Sequence, residues 1–184
     1  MTQQRHRQIT IAIALCLTLA ACGSITTRTT YGAAAPGSPP SGGPLRPWPA
    51  SATCPTPARS AADAPRLVAL LNAERARAGL GPLTLAPALS VVAQAHACDL
   101  AARGDIGHSG SDGSTLTERL ARGGIAAAMV AENTASGQSS AEAVLAGWLA
   151  SPGHRANILR PNAARVGLGQ ADGAQAVWVM AVTS

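Results

Sequence analysis

Trp148-Leu-Ala-Ser-Pro-Gly-His154-Arg-Ala-Asn-Ile-Leu159 is the stretch that decides the fold. It carries one of the four histidines in the chain. Its Pro152 has no backbone N–H, and its ring clashes with the preceding turn, so a helix running through Trp148 must break there. Just upstream, Ser139-Ser-Ala-Glu142 has the form of a capping box. The helix it predicts places Val144, Leu145, Trp148 and Leu149 on an inner face. Pro152-Gly153 then turns His154 back toward two other titratable groups flanked by turn residues. These are His108, in Gly107-His108-Ser109-Gly110, and Glu132, in Ala131-Glu132-Asn133.

Downstream of this stretch, Val166-Gly-Leu-Gly169 and Ala176-Val-Trp-Val-Met-Ala-Val182 read as two strands joined at Asp172-Gly173, a good hairpin turn. Upstream, Asp63 is placed to cap a helix that has Pro65 in its first turn and Leu67, Leu70, Leu71 and Glu74 at helical spacing. Gly79 and Gly81-Pro82 end it. A second helix opens at Pro87, carries Leu89, Val92, His96 and Leu100 as its apolar stripe, and stops at Gly104. His96, lying on that stripe, reads as a buried, hydrogen-bonded structural histidine rather than a ligand. After the loop His108-Ser-Gly-Ser-Asp-Gly-Ser114, Thr115-Leu-Thr-Glu118 is a second capping box, and its short helix ends at Gly123-Gly124. Residues 127–131 read as a strand delivering Glu132.

The N-terminal third has a different character. Arg5 and Arg7 precede an uncharged, mostly apolar run from Ile9 to Ala21. That run is shorter than the roughly 20 apolar residues a membrane span needs, and it reads as an export signal over residues 1–21. It ends Leu19-Ala-Ala-Cys22, which resembles the lipobox of bacterial lipoproteins, in which the cysteine thiol takes a diacylglycerol. A second acyl chain makes such anchoring stable. In a Gram-negative cell, Gly23 after the cysteine resembles the pattern of outer-membrane lipoproteins. Residues 22–60 hold eight of the thirteen prolines, with Gly and Ser between them, and read as a lipidated, semi-extended spacer. Residues 61–184 are then the folded domain. Once Cys16 leaves with the signal and Cys22 takes lipid, Cys54 and Cys98 remain in an oxidising compartment, and a disulfide between them is expected. It closes a loop of roughly 45 residues, for which the chain-entropy model gives about 4 kcal/mol.

The formal charge of +5 sits outside this domain. From Ser60 onward nine arginines face nine acids, and the chain contains no lysine. Aromatic residues make up 2% of the chain, with no Phe. Nucleic-acid binding needs a concentrated basic face and stacking aromatics, so that function class is excluded. A Gly-x-Ser-x-Gly elbow is also missing, because Gly107-His-Ser-Gly-Ser111 ends in Ser. His108, Glu132 and His154 come from separate segments. Two imidazoles and a carboxylate could hold a divalent metal such as zinc with an open position, or act as an acid–base pair.

Taken together, Leu70-Leu-Asn-Ala-Glu-Arg75, Ala93-Gln-Ala-His-Ala97, Gly107-His-Ser-Gly-Ser-Asp-Gly113, Glu132-Asn133, the 148–159 stretch and Val166-Gly-Leu-Gly169 come in the order found in the bacterial branch of the CAP superfamily. The chain resembles these SCP-domain proteins, relatives of cysteine-rich secretory, antigen-five and plant pathogenesis-related proteins, from about Pro65 to Ser184. The resemblance implies an α+β fold, an α–β–α sandwich with a small antiparallel sheet between helical layers. It also implies a cleft lined by two histidines and two glutamates that in some members binds a divalent cation. His108 and His154 match the histidines, and Glu132 matches one glutamate. Ser151 stands where the other is expected, so a metal would have at most three protein ligands, with water filling the rest.

The function this predicts is an exported, lipid-anchored binding module of the cell envelope. It would be held to the membrane through Cys22 and would take a small apolar ligand, a glycan or a protein partner. The alternative is a metal-assisted hydrolase of peptide or cell-wall material using His108, Glu132 and His154.

Overall fold

A computed structural model describes residues 47–184. The export signal at 1–21, Cys22 and the linker as far as residue 46 lie outside the described residues. After a 3-10 turn at Ala50–Ala52 come α1 (Ser60–Arg77), β1 (Thr84–Leu85), α2 (Pro87–Arg103), α3 (Leu116–Arg122), β2 (Val130–Ser136), α4 (Ala141–Ala150), α5 (Pro152–Ile158), β3 (Arg165–Asp172) and β4 (Ala176–Thr183).

The strands lie in the order β1-β3-β4-β2. β2, β4 and β3 are antiparallel, and the β3–β4 hairpin closes at Asp172 opposite Ala176, as the Asp-Gly turn predicts. β1 pairs with β3 in parallel, so the sheet is mixed rather than antiparallel throughout. Two residues are too short to leave a periodic signal in the sequence. The pairing is made by Thr84 N–H on Ala164 O and Ala86 N–H on Val166 O, at 2.9 and 2.8 Å.

Side chains alternate across the sheet, and each face is covered by helices. Ala131, Ala135, Val166, Met180 and Val182 pack with Leu67 and Leu71 of α1, Val144 and Trp148 of α4, and Ile158 of α5. On the other face Ala171, Val177, Val179 and Ala181 meet Leu89 and Val92 of α2 and Leu120 of α3. This is the expected helix–sheet–helix sandwich. Gly167 and Gly169 face α2 so closely that a Cβ would collide with the backbone of Leu89 and Ala93. Bare backbone at these two strand positions sets how near α2 can lie.

Several local expectations hold. α2 runs from Pro87 and ends on Gly104 in the left-handed region, φ 62°. α3 carries the complete Thr115–Glu118 capping box. His96 is buried, and its Nε2 lies 3.2 Å from Gly107 O. Cys54 and Cys98 are joined.

Others are corrected. α1 starts at Ser60, and Asp63 lies inside its first turn without capping it. The Asp63 carboxylate instead accepts from Gln170 Nε2 at 2.9 Å. Ser140 rather than Ser139 caps α4, accepting from Ala143 N–H at 3.2 Å, while Glu142 pairs with Arg66. β2 begins at Val130, not at residue 127, so Glu132 sits within the strand. Pro152 does break α4, but it also opens α5, because the first turn of a helix needs no N–H from that residue. His154 therefore stands on a helix, not in a turn.

Residues 47–59, read as the end of a spacer, pack against α2. Trp48 and Cys54 join its apolar cluster, Ser51 Oγ donates to Asp99, and Arg122 lies over the Trp48 ring, 5.1 Å from its centre.

Candidate functional site

Two places in the fold gather unusual chemistry. The first is built around Glu132. Because β2 alternates, Glu132 faces α2 and α3, whereas Asn133 faces α5. The register agrees: Glu132 is opposite Ala181, and Asn133 is opposite Met180.

On its own face Glu132 is 6% exposed and is bound at both oxygens. Oε1 accepts from His108 Nδ1 at 3.0 Å, and Oε2 accepts from Arg119 Nη2 at 2.7 Å. His96 Nε2 lies 3.7 Å from Oε1. Arg119 is itself buried, and its Nη1 donates to His108 O and Ser114 O, both at 2.9 Å. One guanidinium thus neutralises Glu132 and holds the loop that carries His108. Burial opposes charge on Glu132, but the His108 hydrogen bond and the Arg119 and His96 charges outweigh it, and its pKa lies below the usual glutamate value. Burial depresses His96, against Glu132 and with Arg119.

His154 comes from the opposite layer. Asn133 Nδ2 donates to His154 O at 3.0 Å, and Asn157 Nδ2 donates to Glu132 O and Asn133 Oδ1, at 3.1 and 3.0 Å. These bonds dock α5 onto strand β2. Burial first, then His108, lowers the His154 pKa.

The structure thus brings His108 and Glu132 into contact, and His154 enters from the other layer, docked through its backbone carbonyl on Asn133. A metal fits this arrangement poorly. Among the described residues no three His, Cys, Asp or Glu side chains gather as a set that could hold an ion. Glu132 already has a permanent cation on Oε2, and Ser151 supplies no carboxylate. Arg119 is the participant sequence reading missed. Nothing in Thr115-Leu-Thr-Glu-Arg119 distinguishes a buried arginine from an ordinary exposed helix charge.

The second place is a cleft of about 940 Å³ between α1, α2, β3 and residues 47–60. Ala61, Ala64, Leu67, Val91, Leu168 and Trp178 contribute apolar wall, and among the described residues no charged side chain lines it. Beyond the short β1, the edge of β3 is met by side chains of α2. Ser90 Oγ accepts from Leu168 N–H at 3.2 Å. Gln94 Oε1 accepts from Gln170 N–H at 3.0 Å, and its Nε2 donates to Gln170 O at 2.6 Å. These groups are satisfied without an added strand. Cys54 and Cys98 lie in the wall, so the disulfide holds one side of the cleft to α2. No sequence pattern marks the cleft, because its walls come from four separated segments.

Comparison with known proteins places this architecture. The CAP cysteine-rich secretory protein family matches residues 68–182. The uncharacterised protein YkwD of Bacillus subtilis is 33% identical over 142 residues, covering 77% of this chain and 55% of that protein. The chain thus spans about half the length of that relative. An extracellular SCP-domain protein of Bacillus anthracis superposes with a TM-score of 0.61 at 29% identity, over 65% of this chain and 39% of that one. An outer surface protein of Borrelia burgdorferi shares the fold with a TM-score of 0.63 at 21% identity, over 68% of this chain and 94% of that one. The chain belongs to the CAP (cysteine-rich secretory protein) family, and its folded domain is an SCP domain.

Proposed function

We propose that this chain is an exported, non-enzymatic CAP-domain binding module of the cell envelope. It is anchored through a lipid on Cys22, and its ligand is a small apolar molecule held in the cleft between α1 and α2. The observation that carries this reading is the cleft itself, about 940 Å³ with no charged side chain among the described residues of its walls. That is the size and character of a small-molecule site. The engaged state of Glu132 supports binding over metal-assisted hydrolysis, because the carboxylate meets an arginine where the hydrolytic reading needs a metal or a free base. Export is supported by the leader, by the disulfide and by the extracellular and outer-surface descriptions of the Bacillus anthracis and Borrelia proteins.

The test is saturable binding of the neutral apolar dye Nile red at one site per chain. Ala64→Trp, which fills the cleft, should abolish it, and His108→Ala should leave it intact. Absence of saturable binding to the wild type overturns the reading. Anchoring is tested separately by mass spectrometry of envelope-extracted protein: an unmodified Cys22 refutes it.

A further inference from the structure

We propose that the face formed by α5 and the start of β3 docks a polyanionic glycan of the cell envelope, whose phosphate groups are held by Arg155, Arg160 and Arg165. This rests on the exported setting proposed above and not on the cleft. Six arginines of the domain, Arg59, Arg66, Arg77, Arg103, Arg119 and Arg122, each stand within 4.0 Å of a carboxylate. Arg75, Arg155, Arg160 and Arg165 have no carboxylate partner among the described residues, and they gather on one segment. Arg155, Arg160 and Arg165 are exposed. Arg75 is buried beneath that segment, where its Nη1 donates to Ile158 O and Arg160 O at 2.8 and 2.9 Å, and its Nη2 to Ala163 O at 2.9 Å. It takes up the segment's own acceptors and leaves its charge uncancelled below the surface. No Asp or Glu occurs between Glu142 and Asp172, and those two pair with Arg66 and Arg59. A domain with nine arginines and nine acids from Ser60 onward thus carries one positive face. The face does not serve the fold. Arg155 and Arg165 make no side-chain hydrogen bond or ion pair among the described residues, and like charges held together repel.

The chemistry of the face selects its partner. Guanidinium forks match the paired oxygens of a phosphate. A protein partner needs an apolar or aromatic centre to its interface. The exposed large hydrophobic residues are Leu85, Val91 and Ile106, all outside this segment. A bilayer is disfavoured for the same reason, because surface-bound helices bury apolar side chains in it as well. Single-stranded nucleic acid stacks on aromatic rings, and residues 151–165 contain no Trp, Tyr or Phe. A phosphodiester-linked glycan can be recognised through its charges alone. Each exposed contact is weak, so the partner must be a polymer whose repeated phosphates engage several arginines at once.

The experiment measures binding to immobilised poly(glycerol phosphate), with neutral dextran as the blank. It uses the chain from residue 23 onward, which lacks the leader and lipid site but keeps both apolar clusters and the disulfide, all within residues 47–184. Binding should weaken about 10-fold between about 50 and 200 mM salt, as three phosphate contacts would give. Arg155→Gln/Arg165→Gln should weaken it by about 10-fold with an unchanged melting temperature, since two of the three contacts are gone. Arg66→Gln/Arg77→Gln removes the same charge from exposed, paired arginines and should change it less than about 2-fold. Arg28 and Arg46 of the linker are common to all three proteins and cancel from the comparison. No binding by the wild type overturns the proposal. Equal losses in the two double variants overturn the assignment to this face. Binding as tight to phosphatidylglycerol vesicles or to poly(dT) overturns the glycan as its partner. Failure of the export reading would appear separately, as an unmodified Cys22 in the envelope-extracted protein.

Discussion

Arg119 Nη2 donates to Glu132 Oε2 across 2.7 Å, and both side chains are buried. A buried pair of this kind is strongly sensitive to losing one partner, because the charge left behind has neither water nor a counter-charge. Arg119→Met and Glu132→Gln should each destabilise the domain by about 3–5 kcal/mol. The double variant should recover part of that loss, since neither ion is then stranded. Urea denaturation of the four proteins measures the coupling. Strictly additive losses would show that the two side chains contribute independently.

The same pair sets the expectation for zinc. Glu132 offers a metal no oxygen that is free of a hydrogen bond, and His154 approaches from the opposite layer of the sandwich. Zinc at 1,000 times its dissociation constant would stabilise the fold by about 4 kcal/mol. Wild-type protein should show no such rise in melting temperature on titration with zinc. A rise that disappears in both His108→Ala and His154→Ala would show that the two imidazoles hold the ion after all.

One buried imidazole, His96, and one half-buried imidazole, His154, make stability depend on pH. Burial lowers the pKa of His96, against the pull of Glu132 and with the push of Arg119, and it lowers that of His154 together with His108. The unfolded chain titrates them near the ordinary value of 6.5. Below that pH the unfolded state binds more protons than the folded one, so stability falls as the solution is acidified. Their contribution is full above 6.5 and is lost as pH falls toward the folded values. The carboxylates act later. Asp112, opposed by burial but held by Ser114 and Arg122, is lowered to about 2, so its contribution goes only between 3.8 and that value. Denaturation midpoints should therefore decline from pH 7 to about pH 5, where the carboxylates are still ionised. His154→Gln should flatten the slope. A flat wild-type profile would contradict the assignment.

The sequence exposes what is local and periodic. The stop at Gly104, the Thr115 capping box, the Asp172 hairpin and the Cys54–Cys98 link each rest on a few adjacent residues or on a count, and all are present in the structure. Features that depend on the third dimension were not legible. β1 exists only because β3 lies beside it, and Pro152 opens α5 only because Ser151 takes an extended conformation as its cap. His108 and Glu132 could be named in advance, yet which face of β2 carries Glu132 depends on register. Arg119 escaped for the same reason, since only packing separates a buried guanidinium from a solvated one. The cleft drew no attention because alanine, leucine and glutamine on four segments have no shared signature.

The disulfide gives the last prediction. Cys54 belongs to the segment 47–59 and Cys98 to α2, and the link spans 44 residues of sequence. Its removal should cost roughly 2–5 kcal/mol, as for other small exported domains. The loss should be more than thermodynamic, because Trp48 and the 3-10 turn lie on α2 beside the bridge and form part of the cleft wall. Dithiothreitol should lower the melting temperature and shift tryptophan emission as Trp48 leaves the Arg122 guanidinium, while the far-ultraviolet signal of the helices persists. Cys54→Ser/Cys98→Ser should reproduce both changes and show no further response to reductant. If the melting temperature falls while the tryptophan environment stays fixed, the segment is held by Ser51–Asp99 and the Trp48–Arg122 stack rather than by the bridge.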